Sequence, residues 1–378
     1  VQAWVEGALG AKISLGIEEP AQTVTVTEVA EVELPYGRDE SGIQMHNGHV
    51  LLRVRDGEEL LEIDETGSMI QRLANNDRRM GQEVIETTSP RLGYVLTVAR
   101  EQGERVFRLY DRNWSLVSTT AGQDLWITAI SEAGGYLLGW DRATYHLPAC
   151  QGCMAAIYDP SLTVRATIPV GMMPIDADRE NQFSPDEQTT YTHCDDKLQV
   201  YRTDGTFLWE APWRQSRHLG NGGIAVQATA DSLLLHDATG ALVCRVVNPR
   251  PPEQSGEARA RTTPGGECAI HSGDAVLVAK REGPQSCWLF DPGPEGYICW
   301  QSMSDDGRWI VAIDAGGKPR EVSLVGAGGH VVWELDDQWF CGPLQRMLAP
   351  NGGYFYLFTR DSQSGPCKYC HVYRIDVE

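Results

Sequence analysis

The 378-residue sequence has no uninterrupted apolar run of the roughly 18 residues that a membrane-spanning helix needs. Its N-terminus has no basic stretch followed by an apolar segment, so we expect that any secretory signal peptide has already been removed. Positive charge is scarce, because 32 lysines and arginines stand against 52 aspartates and glutamates, giving a formal net charge of −20. This charge repels phosphate backbones, and we expect no nucleic acid partner and no membrane span.

Motifs for several kinds of catalysis are also missing. The sequence contains no GxSxG nucleophile elbow, no P-loop and no GxGxxG phosphate loop, and its nine histidines include no HExxH. We therefore predict no catalytic residue. Glycine and proline are plentiful instead, at 39 and 20 residues, which favours a fold with many turns.

What the chain does contain is a recurring pair of short strands. Both are rich in β-branched and aromatic residues and are bounded by Gly, Asp or Asn, as strands of hairpins are. The first strands are VLLRV (50–54), YVLTVA (94–99), YLLGW (136–140), TTYTH (189–193), IAVQA (224–228), AVLVA (275–279), WIVAI (309–313) and YFYLF (354–358). The second strands are LLEID (60–64), VFRLYD (106–111), AAIYD (155–159), LQVYRTD (198–204), LLLHD (233–237), CWLFD (287–291), REVSLV (320–325) and VYRID (372–376).

The turns around these strands recur as well. SEAGG (131–135) and SMSDDG (302–307) precede first strands, while DETG (64–67) and DATG (237–240) follow second strands. Such Gly-containing turns suit tight hairpins, and no helical periodicity is sustained anywhere. Eight pairs over about 330 residues have a mean spacing near the 40–50 residues of a four-stranded propeller blade, although the individual spacings are uneven. The sequence therefore predicts an all-β fold, a β-propeller with eight blades favoured and seven as the alternative.

Several segments resemble repeats of a known superfamily. LQVYRTDGTFLWE (198–210) and LLLHDATGALVCRV (233–246) are similar to pyrroloquinoline-quinone-type propeller repeats, and SMSDDGRWIVAID (302–314) is similar to the related YVTN repeats. The resemblance implies a fold rather than an activity. No two cysteines are adjacent, so the vicinal disulfide of quinone-dependent alcohol dehydrogenases is missing, which argues against quinone catalysis.

The two ends of the chain predict how the last blade is completed. The sequence finishes on a second strand, and the alternating run QTVTVTEVAEVELP (22–35) is suited to supply the missing outer strand. That strand either closes the last blade of its own chain or pairs with a neighbouring molecule, which would build oligomers or filaments. We therefore divide the chain into an N-terminal segment, 1–40, and a propeller, 41–378.

The ten cysteines favour disulfides and an oxidising compartment. Two CxxC pairs, Cys150/Cys153 and Cys367/Cys370, each precede a second strand and are predicted to close local disulfides. Cys287 and Cys299 flank one candidate hairpin and form a third predicted pair. An alternative joins both CxxC pairs in one tetrathiolate zinc site. Another takes CKYCH (367–371) as a c-type haem attachment motif, with Cys367 and Cys370 bonded to the haem and His371 as the axial ligand.

Two weaker motifs complete the candidate sites. The loop DADRENQFSPDE (176–187) has oxygen-bearing residues at the spacing of a calcium-binding loop, and these are Asp176, Asp178, Glu180, Gln182, Ser184 and Glu187. Its sixth position is Asn181 where an EF-hand has glycine, and a solvated acidic loop is the competing interpretation. Asn113-Trp114-Ser115 forms an N-glycosylation sequon at Asn113.

Together these features predict a secreted or periplasmic propeller without catalytic activity. We expect it to bind protein partners or to build a surface assembly such as a filament through its N-terminal segment, and to need no cofactor, with calcium at the 176–187 loop as the one candidate. The alternatives are a haem-bearing redox protein and a propeller hydrolase or lyase.

Overall fold

The computed structural model describes most of the chain, and every structural statement below refers to that part. The described residues are 3–7, 12–15, 23–35, 41–44, 48–54, 59–74, 84–89, 93–121, 125–141, 154–169, 182–194, 197–212, 215–218, 223–229, 232–247, 259–263, 268–272, 276–280, 288–290, 298–314, 320–340, 348–349, 351–361 and 367–378.

The described residues form strands and turns, with no helix among them. In chain order the strands are β1 (Ala3–Gly7), β2 (Lys12–Leu15), β3 (Val24–Glu33), β4 (Ser41–Gln44), β5 (Val50–Val54), β6 (Glu59–Ile63), β7 (Met69–Ala74), β8 (Val84–Thr88), β9 (Tyr94–Glu101), β10 (Glu104–Asp111), β11 (Leu116–Ala121), β12 (Leu125–Ile130), β13 (Leu137–Asp141), β14 (Met154–Tyr158), β15 (Val164–Pro169), β16 (Thr189–Cys194), β17 (Lys197–Arg202), β18 (Phe207–Pro212), β19 (Gln215–His218), β20 (Ile224–Thr229), β21 (Ser232–His236), β22 (Leu242–Val247), β23 (Arg259–Thr262), β24 (Cys268–Ser272), β25 (Val276–Lys280), β26 (Trp288–Phe290), β27 (Ile298–Met303), β28 (Trp309–Asp314), β29 (Arg320–Gly326), β30 (Val331–Phe340), β31 (Tyr354–Arg360) and β32 (Tyr369–Val377).

The chain divides into two compact units. Unit 1 consists of residues 1–75, 247–259 and 270–378, and unit 2 of residues 76–246 and 260–269. Unit 2 contains sheets of the order β8-β9-β10-β11, β12-β13-β14-β15, β16-β17-β18 and β19-β20-β21-β22. Unit 1 contains the sheet β4-β5-β6-β7 and a longer one, β27-β28-β29-β30-β31-β32-β3.

Every predicted strand pair is confirmed as an antiparallel pair of neighbouring strands. These inner strands read as continuous apolar runs because both of their faces are buried, as in β31, where five successive residues from Phe355 to Thr359 are buried. An outer strand such as β11 alternates between exposed and half-buried residues. This difference explains why the sequence pattern located the inner strands and overlooked most outer ones.

Two kinds of turn recur at the same end of the sheets. The first kind joins the first and second strands of a four-stranded sheet. Here the hydroxyl of a buried serine accepts a hydrogen bond from the backbone N–H five residues later, as Ser131 does from Tyr136 at 2.9 Å between β12 and β13. In the turn before the outer strand, an aspartate accepts backbone hydrogen bonds from the residues two and four positions later. Asp237 does so from Thr239 and Ala241 at 2.8 and 3.1 Å. Because neighbouring strands are antiparallel, both turns lie at one end of each sheet.

The outer strand of one sheet packs against the second kind of turn in the next sheet. A Cβ atom added to Gly205 would lie 3.0 Å from Cβ of Ala166 on β15, and one added to Gly240 would lie 2.7 Å from the Trp209 ring on β18. Strand β3 repeats this arrangement in unit 1, where a Cβ on Gly67 would lie 2.4 Å from Cβ of Ala30. Strand β3 therefore occupies an outer-strand position beside β32.

Candidate interaction site on the outer strands

Large apolar side chains are exposed at one recurring position in unit 2, at the start of each outer strand directly after the aspartate turn. Their exposed fractions run from 39% to 55%, although most large apolar residues of the described chain are buried. Repetition at the same position in four successive sheets distinguishes them from isolated surface residues, which need no explanation. We call this set the outer-strand band, and its members are Leu116, Val117, Val164, Phe207, Leu242 and Val243.

Hydrogen bonds join the outer strand of one sheet to the aspartate turn of the next sheet. The Ser118 hydroxyl on β11 donates a hydrogen bond to the Pro160 carbonyl at 2.5 Å, in the turn that leads to Val164. The Trp209 indole on β18 donates one to the Ala238 carbonyl at 3.3 Å, in the turn that leads to Leu242. Strands β11 and β18 therefore each contact the turn that precedes the next apolar position of the band.

Carboxylates accompany the apolar positions. Asp159, Asp204 and Asp237 precede Val164, Phe207 and Leu242 in their turns. In each case a hydroxyl two residues later donates a hydrogen bond to the carboxylate, and this is the largest effect holding the pKa of the aspartate below its ordinary value. The carboxylates are therefore ionised at neutral pH, so the band carries negative charges between its apolar side chains. Such a surface suits a partner that presents both apolar and cationic groups.

The cysteine predictions are corrected at one position. Cys367 is disulfide-bonded, whereas Cys370 is a fully buried thiol, so the predicted local pair Cys367–Cys370 is wrong. The reason is the strand geometry, because Cys370 lies on β32 with its side chain in the apolar core of unit 1. Cys150, Cys153 and Cys287 lie outside the described residues, and Cys299 lies on β27, so their pairing stays a prediction.

The residues of the CKYCH motif do not fit covalent haem attachment. The attachment requires both cysteine thiols and the histidine to face one haem, but Cys367 is disulfide-bonded and Cys370 is buried. His371 follows Cys370 on the same strand and therefore faces the other side of the sheet. Its Nε2 lies 2.9 Å from Oγ1 of Thr359 and its Nδ1 lies 2.8 Å from Oε1 of Glu28.

In the described half of the predicted calcium loop, the side-chain oxygens of Gln182, Ser184 and Glu187 accept hydrogen bonds from three different parts of the chain. The Gln182 side chain is buried and accepts a hydrogen bond from the Thr128 hydroxyl at 3.0 Å, and the Ser184 hydroxyl accepts one from the Thr189 amide at 3.0 Å. Glu187 reaches the neighbouring turn and accepts one from the Ala133 amide at 2.7 Å. These three oxygens therefore bind three different donors and do not converge on one point. Asp176, Asp178 and Glu180 lie outside the described residues.

The predicted sequon lies on an exposed turn. The Asn113 amide donates a hydrogen bond to the Asp111 carboxylate at 2.8 Å, and the Asn113 side chain is on the surface. The site is thus sterically open, and its glycosylation stays a prediction.

The predicted N-terminal strand pairs with the last strand of its own chain. Val24 to Glu33 run antiparallel to Tyr369 to Val377, with a register shift between Glu28 and Ala30. The run 22–35 was correctly predicted as the outer strand beside the last second strand. The register shift, a β-bulge at Val29, has no evident sequence signal, and it changes which side chains share a face.

Comparison with solved structures identifies the architecture as a β-propeller. The crystal structure of BamB from Moraxella catarrhalis superposes with a TM-score of 0.53 at 13% identity, covering 93% of this chain and 100% of the BamB chain. A chain from the crystal structure of a mitotic checkpoint complex matches with a TM-score of 0.48 at 12% identity, covering 78% of this chain and 91% of its own. No protein-family model and no curated protein sequence matches the chain. At 13% identity the similarity to BamB establishes the fold alone, and the number of blades stays a prediction.

Within the described residues, no helix combines the length and apolarity needed to cross a membrane.

Proposed function

We propose that the chain is a non-catalytic, extracytoplasmic β-propeller that binds a protein partner through the outer-strand band. The observation that carries this proposal is the recurrence of exposed apolar residues at one position in four successive sheets of unit 2. A folded chain normally buries such side chains, and their burial against a partner would contribute about 25 cal/mol per Å² of apolar surface. The partner therefore presents an apolar surface.

Charge indicates which kind of protein fits. Three aspartates with lowered pKa values lie in the turns that precede positions of the band, on a chain whose net charge is −20. A partner with lysine or arginine beside its apolar groups is attracted, whereas an acidic one is repelled. The proposal thus names an apolar, basic protein surface as the ligand.

An oxidising compartment is supported by the cysteines. The chain has ten of them, and Cys367 is disulfide-bonded. Disulfides persist in secreted and periplasmic proteins and are rare in the cytosol of most organisms. In such a compartment the chain serves as a protein-binding or surface-assembly subunit, and its partner is a different, basic protein rather than a second acidic copy of the chain.

Site-specific crosslinking in the native source tests the proposal. A photo-crosslinking amino acid placed at Val117, Val164 or Phe207 is expected to give one and the same crosslinked product from all three positions. The mass of that product distinguishes a second copy of this chain from a different protein. Glu104 is the matched control, because it is also exposed but lies at the opposite end of its sheet.

The pattern across positions decides the outcome. A shared product from the three band positions that is absent at Glu104 supports the proposal. If the band positions give no product, or give the same products as Glu104, then the outer-strand band is not a binding site.

A further inference from the structure

A histidine and two glutamates from opposite ends of the chain meet on one face of the sheet formed by β3 and β32. Nδ1 of His371 lies 2.8 Å from Oε1 of Glu28 and 3.7 Å from Oε2 of Glu31. One donor atom from each residue can be chosen so that all three lie within 4.8 Å of one another. Donor atoms about 2.1 Å from a tetrahedral metal lie about 3.4 Å from one another. The two distances from His371 Nδ1, 2.8 Å and 3.7 Å, lie on either side of that separation.

The β-bulge creates this juxtaposition. Residues three apart on a regular strand face opposite sides of a sheet, so Glu28 and Glu31 would be separated. The extra residue at Val29 shifts the register, so that Glu31 pairs with His371 and Glu28 pairs with Tyr373, two residues further along β32. Residues two apart share a face, and the rings of His371 and Tyr373 accordingly stack with centroids 6.4 Å apart. Bulges commonly redirect side chains toward functional sites.

A residue outside this group orients the histidine for metal binding. Nε2 of His371 lies 2.9 Å from the hydroxyl oxygen of Thr359, which is buried on β31. When Nε2 carries the ring proton, it donates a hydrogen bond to this hydroxyl oxygen. The Nδ1 lone pair then points toward the two carboxylates. Metal-binding histidines nearly always donate their second ring N–H to such a partner.

The rest of the environment favours a cation. The His371 side chain is 13% exposed, while those of Glu28 and Glu31 are 44% and 58% exposed, so an ion can enter from solvent. Zinc takes both imidazole nitrogen and carboxylate oxygen as ligands, and a site with three protein ligands keeps a fourth position open for water.

We propose that Glu28, Glu31 and His371 bind a zinc ion that joins the N-terminal strand β3 to the last strand β32. His371 binds through Nδ1, each glutamate contributes one carboxylate oxygen, and solvent water completes the tetrahedron. Binding displaces any proton on Nδ1 to solvent, and Nε2–H donates to Thr359. His371 lies 340 or more residues from both glutamates in the chain, so the ion stabilises the attachment of β3.

Zinc titration of the purified full-length chain tests the site. Isothermal titration calorimetry is expected to show one Zn²⁺ bound per chain, and zinc should raise the melting temperature. Cobalt(II) in place of zinc should give the visible absorption of a tetrahedral site. His371→Gln and the double variant Glu28→Gln/Glu31→Gln should each weaken zinc binding at least tenfold.

Glu33→Gln is the matched control, because it removes one carboxylate from the exposed side of the same strand but lies outside the cluster. It should bind zinc like the unmodified chain. Melting temperatures without metal verify that every variant is folded. The proposal is wrong if the unmodified chain binds no stoichiometric zinc, or if His371→Gln and the double variant bind zinc as tightly as Glu33→Gln does.

Discussion

Replacing Gly329 with alanine is expected to lower the free energy of unfolding by about 4 kcal/mol, among the larger effects of any single substitution. Gly329 lies in the turn between β29 and β30 with a φ of +83°, which alanine adopts only with strain. An added Cβ would lie 1.8 Å from the backbone carbonyl oxygen of Leu289 on β26. Because that oxygen belongs to a neighbouring strand, the strand and the turn would have to separate.

Thermal unfolding measures this effect, with Gly103→Ala as the matched control. Gly103 also has a positive φ, of +93°, but nothing lies within 4 Å of the added Cβ. Gly103→Ala should therefore lower the free energy of unfolding only by the cost of placing alanine at a positive φ, about 1 kcal/mol. At roughly 2 °C per kcal/mol, the melting temperature should fall by about 8 °C for Gly329→Ala and about 2 °C for Gly103→Ala. Equal losses would contradict the close packing of the turn against β26.

Replacing Glu62 with glutamine is expected to cost about 3 kcal/mol, because it breaks a buried ion pair. The Glu62 side chain is 3% exposed, and its two oxygens lie 2.5 Å from His49 Nδ1 and 2.5 Å from Arg72 Nε. The neutral amide leaves the Arg72 guanidinium without its counter-charge. Glu101→Gln is the control, because Glu101 also pairs with an arginine, Arg108, but is half exposed, and exposed pairs contribute less than about 1 kcal/mol.

The pH dependence of unfolding gives a second readout for Glu62. Burial alone would raise its pKa, but hydrogen bonds from Arg72 and His49 outweigh burial, and the folded pKa lies below the ordinary value of 4.5. A lowered folded pKa means that the carboxylate stabilises the fold fully above that ordinary value and progressively less as pH falls through the folded pKa. The stability gap between the unmodified chain and Glu62→Gln should therefore narrow below about pH 4.5. A gap that stays constant down to pH 3 would contradict this assignment.

The fold was largely predictable because the inner strands are buried on both faces. Runs such as YVLTVA (94–99) and WIVAI (309–313) contain enough β-branched and aromatic residues to show each inner strand directly. The glycine turns marked the hairpins, and the alternation of 22–35 predicted β3.

The sites were less predictable, for reasons that differ among them. The outer-strand band did have a sequence signal, since apolar residues follow the aspartate turns, as in ATGALV (238–243). These residues could be interpreted as a binding surface only once the structure showed that their side chains are exposed, which the sequence does not show. The cluster of Glu28, Glu31 and His371 depends on a bulge and on pairing between the two ends of the chain. The CKYCH motif was misleading because its histidine and second cysteine face opposite sides of a strand.

The attachment of β3 to β32 within one chain is the central claim, because the completed last blade and the zinc site both depend on it. Thr27 and Arg374 are directly opposite each other in that pairing and both are exposed. Their replacement by cysteine, Thr27→Cys/Arg374→Cys, places two thiols at a separation that a disulfide can bridge. Denaturing, non-reducing electrophoresis, with the unmodified chain beside it, shows where the new disulfide forms. We expect a crosslinked monomer with faster mobility than the reduced chain, whereas covalent dimers or longer ladders that disappear on reduction would show that β3 pairs with a neighbouring molecule.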